Sequence, residues 1–175
     1  MSTLLMMDIL VPLIAALIIW CLPKNTKTLK AYVMLLGAVV NLVLAIMLFG
    51  KQGTFSFPWG GFEMDFSLRI YNFSGFIILV AAVIALLAGL YSITFMQDKK
   101  QVTNFYAFYM LALCCANGAV LANNLIILLF FWEALAIILY GMIMALNKDN
   151  YKIAVKAIIL NAIADLSVML GVGFT

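Results

Sequence analysis

Few residues in this sequence have side chains that could do chemistry, and those few lie inside apolar stretches. Glu133 stands near the middle of LIILLFFWEALAIILYGMI (residues 125–143), and Lys156 and Asp165 stand in AVKAIILNAIADLSVMLG (residues 154–171). Charge is costly to hold among such neighbours, and ionisable groups inside a bilayer characteristically mark proton or ion pathways. The chemistry they suggest is therefore the passage of an ion rather than the making of a bond. Asn161 lies four residues before Asp165, on the same helix face, and is placed to hydrogen-bond it. Asn117, Asn123 and Asn124 read as interhelical or end-of-helix hydrogen bonders.

Each of the three charged residues also has a plainer reading. Glu133 could be a protonated carboxyl that hydrogen-bonds a neighbouring helix, and Asp165 could be satisfied by Asn161 alone. Lys156, one turn from the end of its run, could snorkel to the interface.

Conventional active sites are hard to assemble from the rest. The chain has no histidine, and Cys21, Cys114 and Cys115 lack metal-ligand spacing. No glycine-rich phosphate loop follows a strand, and no hydroxyl neighbours a base. Iron–sulfur, haem, flavin and zinc sites are unsupported, so no catalytic residue, metal or cofactor is expected in this chain. Any oxidoreductase activity would belong to an assembly around it. The adjacent Cys114 and Cys115 read as small packing residues.

The elements that must position the charged groups follow from composition. Of 175 residues, 67% are hydrophobic and 10% charged, with a mean hydropathy of +1.19, which is the profile of a membrane protein. A hydrocarbon core of about 30 Å needs roughly 20 apolar residues per helix. Six such runs are present: Leu4 to Leu22, Ala31 to Phe49, Ser74 to Met96, Phe105 to Leu121, Asn124 to Leu146 and Ile153 to Phe174. The expected fold is an all-α polytopic bundle, organised as helices 1 and 2 (1–49), a loop (50–73) and helices 3 to 6 (74–175). The first run lacks a basic leader and is long enough to span, so it reads as a mature helix.

The breaks after helices 1, 3 and 5 hold Lys24, Lys27, Lys30, Lys99, Lys100, Lys148 and Lys152, against Lys51 and Arg69 after helices 2 and 4. This excess places the odd-numbered breaks in the cytoplasm, or in the matrix for an organellar protein, with the N-terminus outside. The net charge of +3 then reflects topology in the bilayer, not a nucleic-acid partner. Aromatic residues fall at the same boundaries: Trp20, Tyr32, Tyr91, Phe95, Tyr106 and Tyr109 inside, Phe49 and Trp59 outside.

On this topology Glu133 lies about 20 Å and Asp165 about 18 Å from the inner ends of their helices, at nearly one depth. Two ionised carboxylates at one level in low dielectric would repel, so at least one should hold a proton near neutral pH unless a cation compensates. Lys156 lies only about 4.5 Å in and about 2.5 turns from Asp165, on the opposite face. Glu133 thus lacks an obvious cationic partner in this chain.

One break is long enough to fold. In GTFSFPWGGFEMDFSLRIYNF (residues 53–73) the residues Phe55, Phe57, Trp59, Phe62, Met64, Phe66, Leu68 and Ile70 read as the apolar face of a β-hairpin turning at Gly60 and Gly61. That face must rest on the bundle beneath, the favoured reading, or on a neighbouring subunit.

LYSITFM (residues 90–96), FYAFYMLALCCANGAVLANNLIILLFFWE (residues 105–133) and the Lys156–Asp165 segment together resemble the antiporter-like membrane subunits of respiratory complex I. The same family takes in the ion-pumping membrane-bound hydrogenases and the multisubunit cation/proton antiporters. The resemblance implies that Glu133 matches a helix-5 glutamate that pairs with a helix-7 lysine in proton transfer. Lys156 and Asp165 match a lysine and an aspartate of helix 6, and the hairpin matches one through which neighbouring subunits touch. Where the family has an Asp-Gly-Leu-Ser-like opening of helix 3, this chain has Tyr71, Asn72, Phe73 and Ser74.

Family members have fourteen helices, so these six correspond to an N-terminal part. The chain reads as a split subunit or as a piece of a longer one, and its end at GVGFT favours an interrupted chain. The expected partners are other membrane subunits, including one supplying helix 7 onward, with peripheral iron–sulfur subunits acting indirectly. The expected setting is the bilayer of a prokaryotic cytoplasmic membrane. The function implied is proton, or sodium, translocation in a redox-driven complex. The alternatives are a cation/proton antiporter component without redox chemistry and a structural membrane subunit.

Overall fold

The computed structural model describes residues 2–23, 26–58, 65–96, 102–146 and 151–173. These form helices α1 (Ser2–Cys21), α2 (Lys27–Leu48), α3 (Asn72–Met96), α4 (Val102–Leu121), α5 (Leu125–Leu146) and α6 (Tyr151–Gly173). Strands β1 (Gly53–Pro58) and β2 (Asp65–Ile70) lie between α2 and α3. All six helices are long and apolar enough to cross a membrane.

The helices follow the apolar runs but extend beyond them at the polar ends, where the backbone ladder continues whatever the side chains are. α2 begins at Lys27 rather than at Ala31, and α4 begins at Val102 rather than at Phe105. This changes the reading of one charge. Lys30 was expected in a solvated break, yet it is fully buried, and its Nζ donates to Thr103 Oγ1 of α4 at 2.7 Å. Lys24, Lys99, Lys100 and Lys148, together with Trp59, Gly60, Gly61, Phe62 and Met64, lie outside the described residues. Two of the expected interfacial aromatics also turn inward: Tyr106 is buried, and the Tyr109 hydroxyl donates to the Ala85 carbonyl of α3.

α4 is the centre of the bundle, packing against α1, α2, α3 and α5, while α6 packs on α5. The meeting of α1, α2 and α4 is close. A Cβ at Gly37 of α2 would stand 3.0 Å from Ala15 Cβ and 3.2 Å from Met110 Sδ, so the smallest residue is what lets the three backbones approach. Large apolar residues on α3 and α6, such as Ile84, Leu87, Leu160, Ile163 and Leu166, face outward. In a bilayer such faces meet lipid or further helices.

The two strands pair antiparallel, from Gly53 opposite Ile70 to Pro58 opposite Asp65. Because side chains alternate, this register gathers Phe55, Phe57, Phe66, Leu68 and Ile70 on one face. That face rests on the chain's own helices. Leu68 and Ile70 are buried in one cluster with Leu5 and Ile9 of α1, Leu48 of α2 and Leu121 of α4, and the Phe66 ring meets Phe131 of α5 at 6.4 Å. The Ser74 hydroxyl closes the turn into α3, accepting from Tyr71 N at 2.9 Å and donating to Tyr71 O at 3.0 Å.

The hairpin is also tied to the turn between α4 and α5. Asn123 N donates to Ser67 O at 3.0 Å, Asn123 Nδ2 donates to Ser67 Oγ at 2.9 Å, and Leu68 bridges Ala122. Asn123→Ala removes the side-chain bond and keeps the backbone one. It is expected to cost about 1 kcal/mol and to quicken amide exchange across Ser67 to Arg69 while leaving the helices unaffected. Unchanged exchange at those amides would count against this tie.

Candidate functional site

The sequence singles out residues on α5 and α6, and the structure gives one of them, Asp165, a partner that the sequence did not single out. Trp132 Nε1 donates to Asp165 Oδ1 at 2.7 Å, joining α5 to α6 across their seam. Asp165 is buried. Glu133 follows Trp132 in the chain, so its side chain leaves α5 about 100° further round. It lines a groove of about 330 Å³ with Phe130, Ala134 and Ile137 of α5 and Met169 of α6. At 1.5 Å per residue, Glu133 and Asp165 each stand about 12 Å from the hairpin end of their helices.

The arrangement pairs one carboxyl satisfied by an indole with a second at the same depth that opens onto an apolar groove. No described residue places a cation on Glu133. Lys156 is exposed and lies toward the other end of α6, apart from both acids.

The asparagines divide by role. Asn161 lines a cavity of about 250 Å³ with Trp132, Leu135, Ala136 and Leu139 of α5 and Ala112 of α4. The described partner of Asp165 is the Trp132 indole. Asn124 caps α5, its Oδ1 accepting from Ile126 N at 2.9 Å and its carbonyl from Leu128 N at 3.0 Å, which satisfies donors a helix start leaves open. Asn117 belongs elsewhere: its Nδ2 donates to the Asp8 carbonyl at 3.0 Å.

Asp8 and Trp132 are among the polar participants that sequence reasoning missed. Asp8 sits in the first apolar run, and that alone could have flagged it. Trp132 carried no such signal, because a tryptophan in an apolar helix reads as lipid-facing or core until a neighbouring helix is placed beside it. Trp132→Phe keeps the ring and removes the donor, leaving Asp165 Oδ1 without its bond. An unsatisfied buried acceptor costs about 1–3 kcal/mol. The expected result is a looser α5–α6 seam, read as faster labelling of a cysteine introduced at Ala112, with Trp132→Ala showing the same change more strongly. Labelling at the wild-type rate in Trp132→Phe would discount the bond.

Comparison with known proteins gives the setting. Residues 57–106, from the hairpin into α4, match the family described as NADH-ubiquinone oxidoreductase (complex I), chain 5 N-terminus. The chain is 26% identical over 180 residues, 99% of its length, to a Na(+)/H(+) antiporter subunit of Bacillus subtilis. It is 26% identical over 186 residues to an NADH-quinone oxidoreductase subunit of Neisseria meningitidis serogroup A. Among solved structures, a chain of an archaeal respiratory membrane complex, the membrane-bound sulfane sulfur reductase, superposes over 96% of this chain with a TM-score of 0.80 at 21% identity. That likeness establishes a shared fold. This chain spans 36%, 28% and 27% of those three proteins respectively.

Proposed function

From its kinship with the N-terminal helices of antiporter-like membrane subunits, we propose that this chain is an ion-translocating membrane component in which Glu133 takes and releases the proton. The observation that carries this reading is the α5–α6 seam, where Glu133 stands level with a buried, indole-bonded Asp165 and opens onto a groove lined by apolar residues. A cation brought against Glu133 from a helix outside this chain would reset its charge. At about 4 Å and an effective dielectric of about 20, such a pair is worth about 4 kcal/mol, enough to move a proton on or off. Lys156, toward the opposite end of α6, would pass charge to that end, with Asn161 lining the cavity between α5 and α6 and Asn124 capping α5.

The remaining helices come from further sequence or from a second polypeptide, completing a larger inverted-repeat unit with its site between the repeats. The drive is redox chemistry in an assembly of further membrane subunits with peripheral iron–sulfur subunits, and the oxidoreductase name of the Neisseria relative supports the redox part of this reading. A second reading, cation/proton exchange without redox chemistry, is favoured by the match of 99% of this chain, at 26% identity, to 36% of the Bacillus antiporter protein.

Gentle purification from native membranes, followed by mass spectrometry of every co-purifying chain, separates the two. Iron–sulfur proteins in the complex support redox drive. A complex holding membrane proteins alone supports exchange, and a chain that purifies by itself sinks both.

A further inference from the structure

Asp8 of α1 is fully buried, as are Asn41 of α2 and Asn117 of α4 beside it. The three meet because Pro12, four residues after Asp8 and inside α1, has no N–H to give the Asp8 carbonyl its helical bond. Two amides supply what the proline withholds. Asn41 Nδ2 donates to the Asp8 carbonyl at 3.2 Å and to Asp8 Oδ1 at 2.9 Å, and Asn117 Nδ2 donates to the same carbonyl at 3.0 Å.

These bonds fix how both amides face. Turning either one over would set its oxygen against an oxygen of Asp8, so each must present its nitrogen inward and its oxygen away. Three buried oxygens are left without a donor: Asp8 Oδ2, Asn41 Oδ1 and Asn117 Oδ1. All are acceptors, and no described residue puts a cation on the carboxylate. Buried acceptors without donors and a buried charge without a partner are both strongly disfavoured. One proton on Oδ2 removes the charge and turns an acceptor into a donor.

We propose that Asp8, with Asn41 and Asn117, forms a proton-binding site at the α1–α2–α4 junction, separate from the α5–α6 seam, with Asp8 Oδ2 as the atom that holds the proton. The hairpin packs against helix residues that neighbour it. Leu68 and Ile70 of β2 pack in one cluster with Leu5 and Ile9, which flank Asp8 on α1, and with Ala45 and Cys114, each one turn from the asparagine of its helix. Among the described residues, the other titratable groups packed here are the Cys114 and Cys115 thiols of α4. Arg69 of β2 lies on the hairpin's outer face, over the Tyr71 ring at 5.9 Å. The site does not rest on Glu133 carrying protons.

Infrared difference spectroscopy between acidic and alkaline buffers tests this in the intact complex purified from membranes. The wild type is expected to show a protonated-carboxyl carbonyl band that is lost in Asp8→Asn, persists in Glu133→Gln and is unchanged by added sodium. Asn41→Ala is expected to shift the band rather than abolish it, because Asp8 Oδ1 loses its donor. Identical bands in wild type and an assembled Asp8→Asn complex overturn the proposal, and so does a band that disappears when sodium is added. Should Asp8→Asn fail to assemble, an Asn41→Ala spectrum indistinguishable from wild type overturns it equally.

Discussion

Replacing Glu133 with Gln is expected to lower proton translocation at least ten-fold while the complex still assembles. Gln keeps the shape and hydrogen-bonding capacity of the side chain and removes its ability to ionise, so the variant isolates titration from packing. The groove that Glu133 lines is apolar, and the carboxyl makes no described bond that Gln would break. A ten-fold loss corresponds to about 1.4 kcal/mol in the barrier, well below the roughly 4 kcal/mol that a charge pair at this site could supply. Larger losses are therefore within reach. The assay is a pH-sensitive dye in inverted membrane vesicles energised by the complex's own substrate, with assembly checked on a native gel. Wild-type translocation by a fully assembled Glu133→Gln complex would sink the role assigned to this residue. Asp165→Asn, which keeps an acceptor for the Trp132 indole, shows in the same assay whether ionisation of Asp165 matters.

The second large effect concerns packing. Gly118→Leu is expected to prevent stable assembly or to lower the melting temperature sharply, whereas Gly171→Leu changes little. A Cβ at position 118 would fall 2.5 Å from the Phe131 ring, while one at position 171 meets nothing within 4 Å. The ring has little room to yield. Phe131 is buried and held between Phe66 of the hairpin at 6.4 Å and Phe130 at 5.6 Å. Forcing extra methylenes into a filled core costs about 1–3 kcal/mol and sometimes more. Both substitutions replace glycine with a better helix former, so a larger loss at position 118 reports the α4–α5 contact. Equal thermal stability of the two purified complexes would refute this account of the seam.

The six helices and the hairpin were legible because their signals are local. A run of about 20 apolar residues can satisfy its backbone in lipid only as a helix, and strict alternation from Phe55 to Ile70 reads as paired strands wherever the segment lies. The hairpin's resting place on its own bundle was the favoured of two readings, and the burial of Leu68 and Ile70 against α1, α2 and α4 bears it out.

Partnership was a different matter. The bond between Trp132 and Asp165 joins residues 33 apart in the chain, and that from Asn117 to Asp8 joins residues 109 apart. Lys30 looked like a loop charge until α4 brought Thr103 against it. Sequence alone determined that this chain is an integral membrane protein of long apolar helices with acids inside them. Only the tertiary structure decided which helix faces meet, because rotation about each helix axis and the choice of neighbour are set by side-chain packing between distant segments. Those rotations put Glu133 on a groove, Asp165 on an indole and Asp8 between two amides.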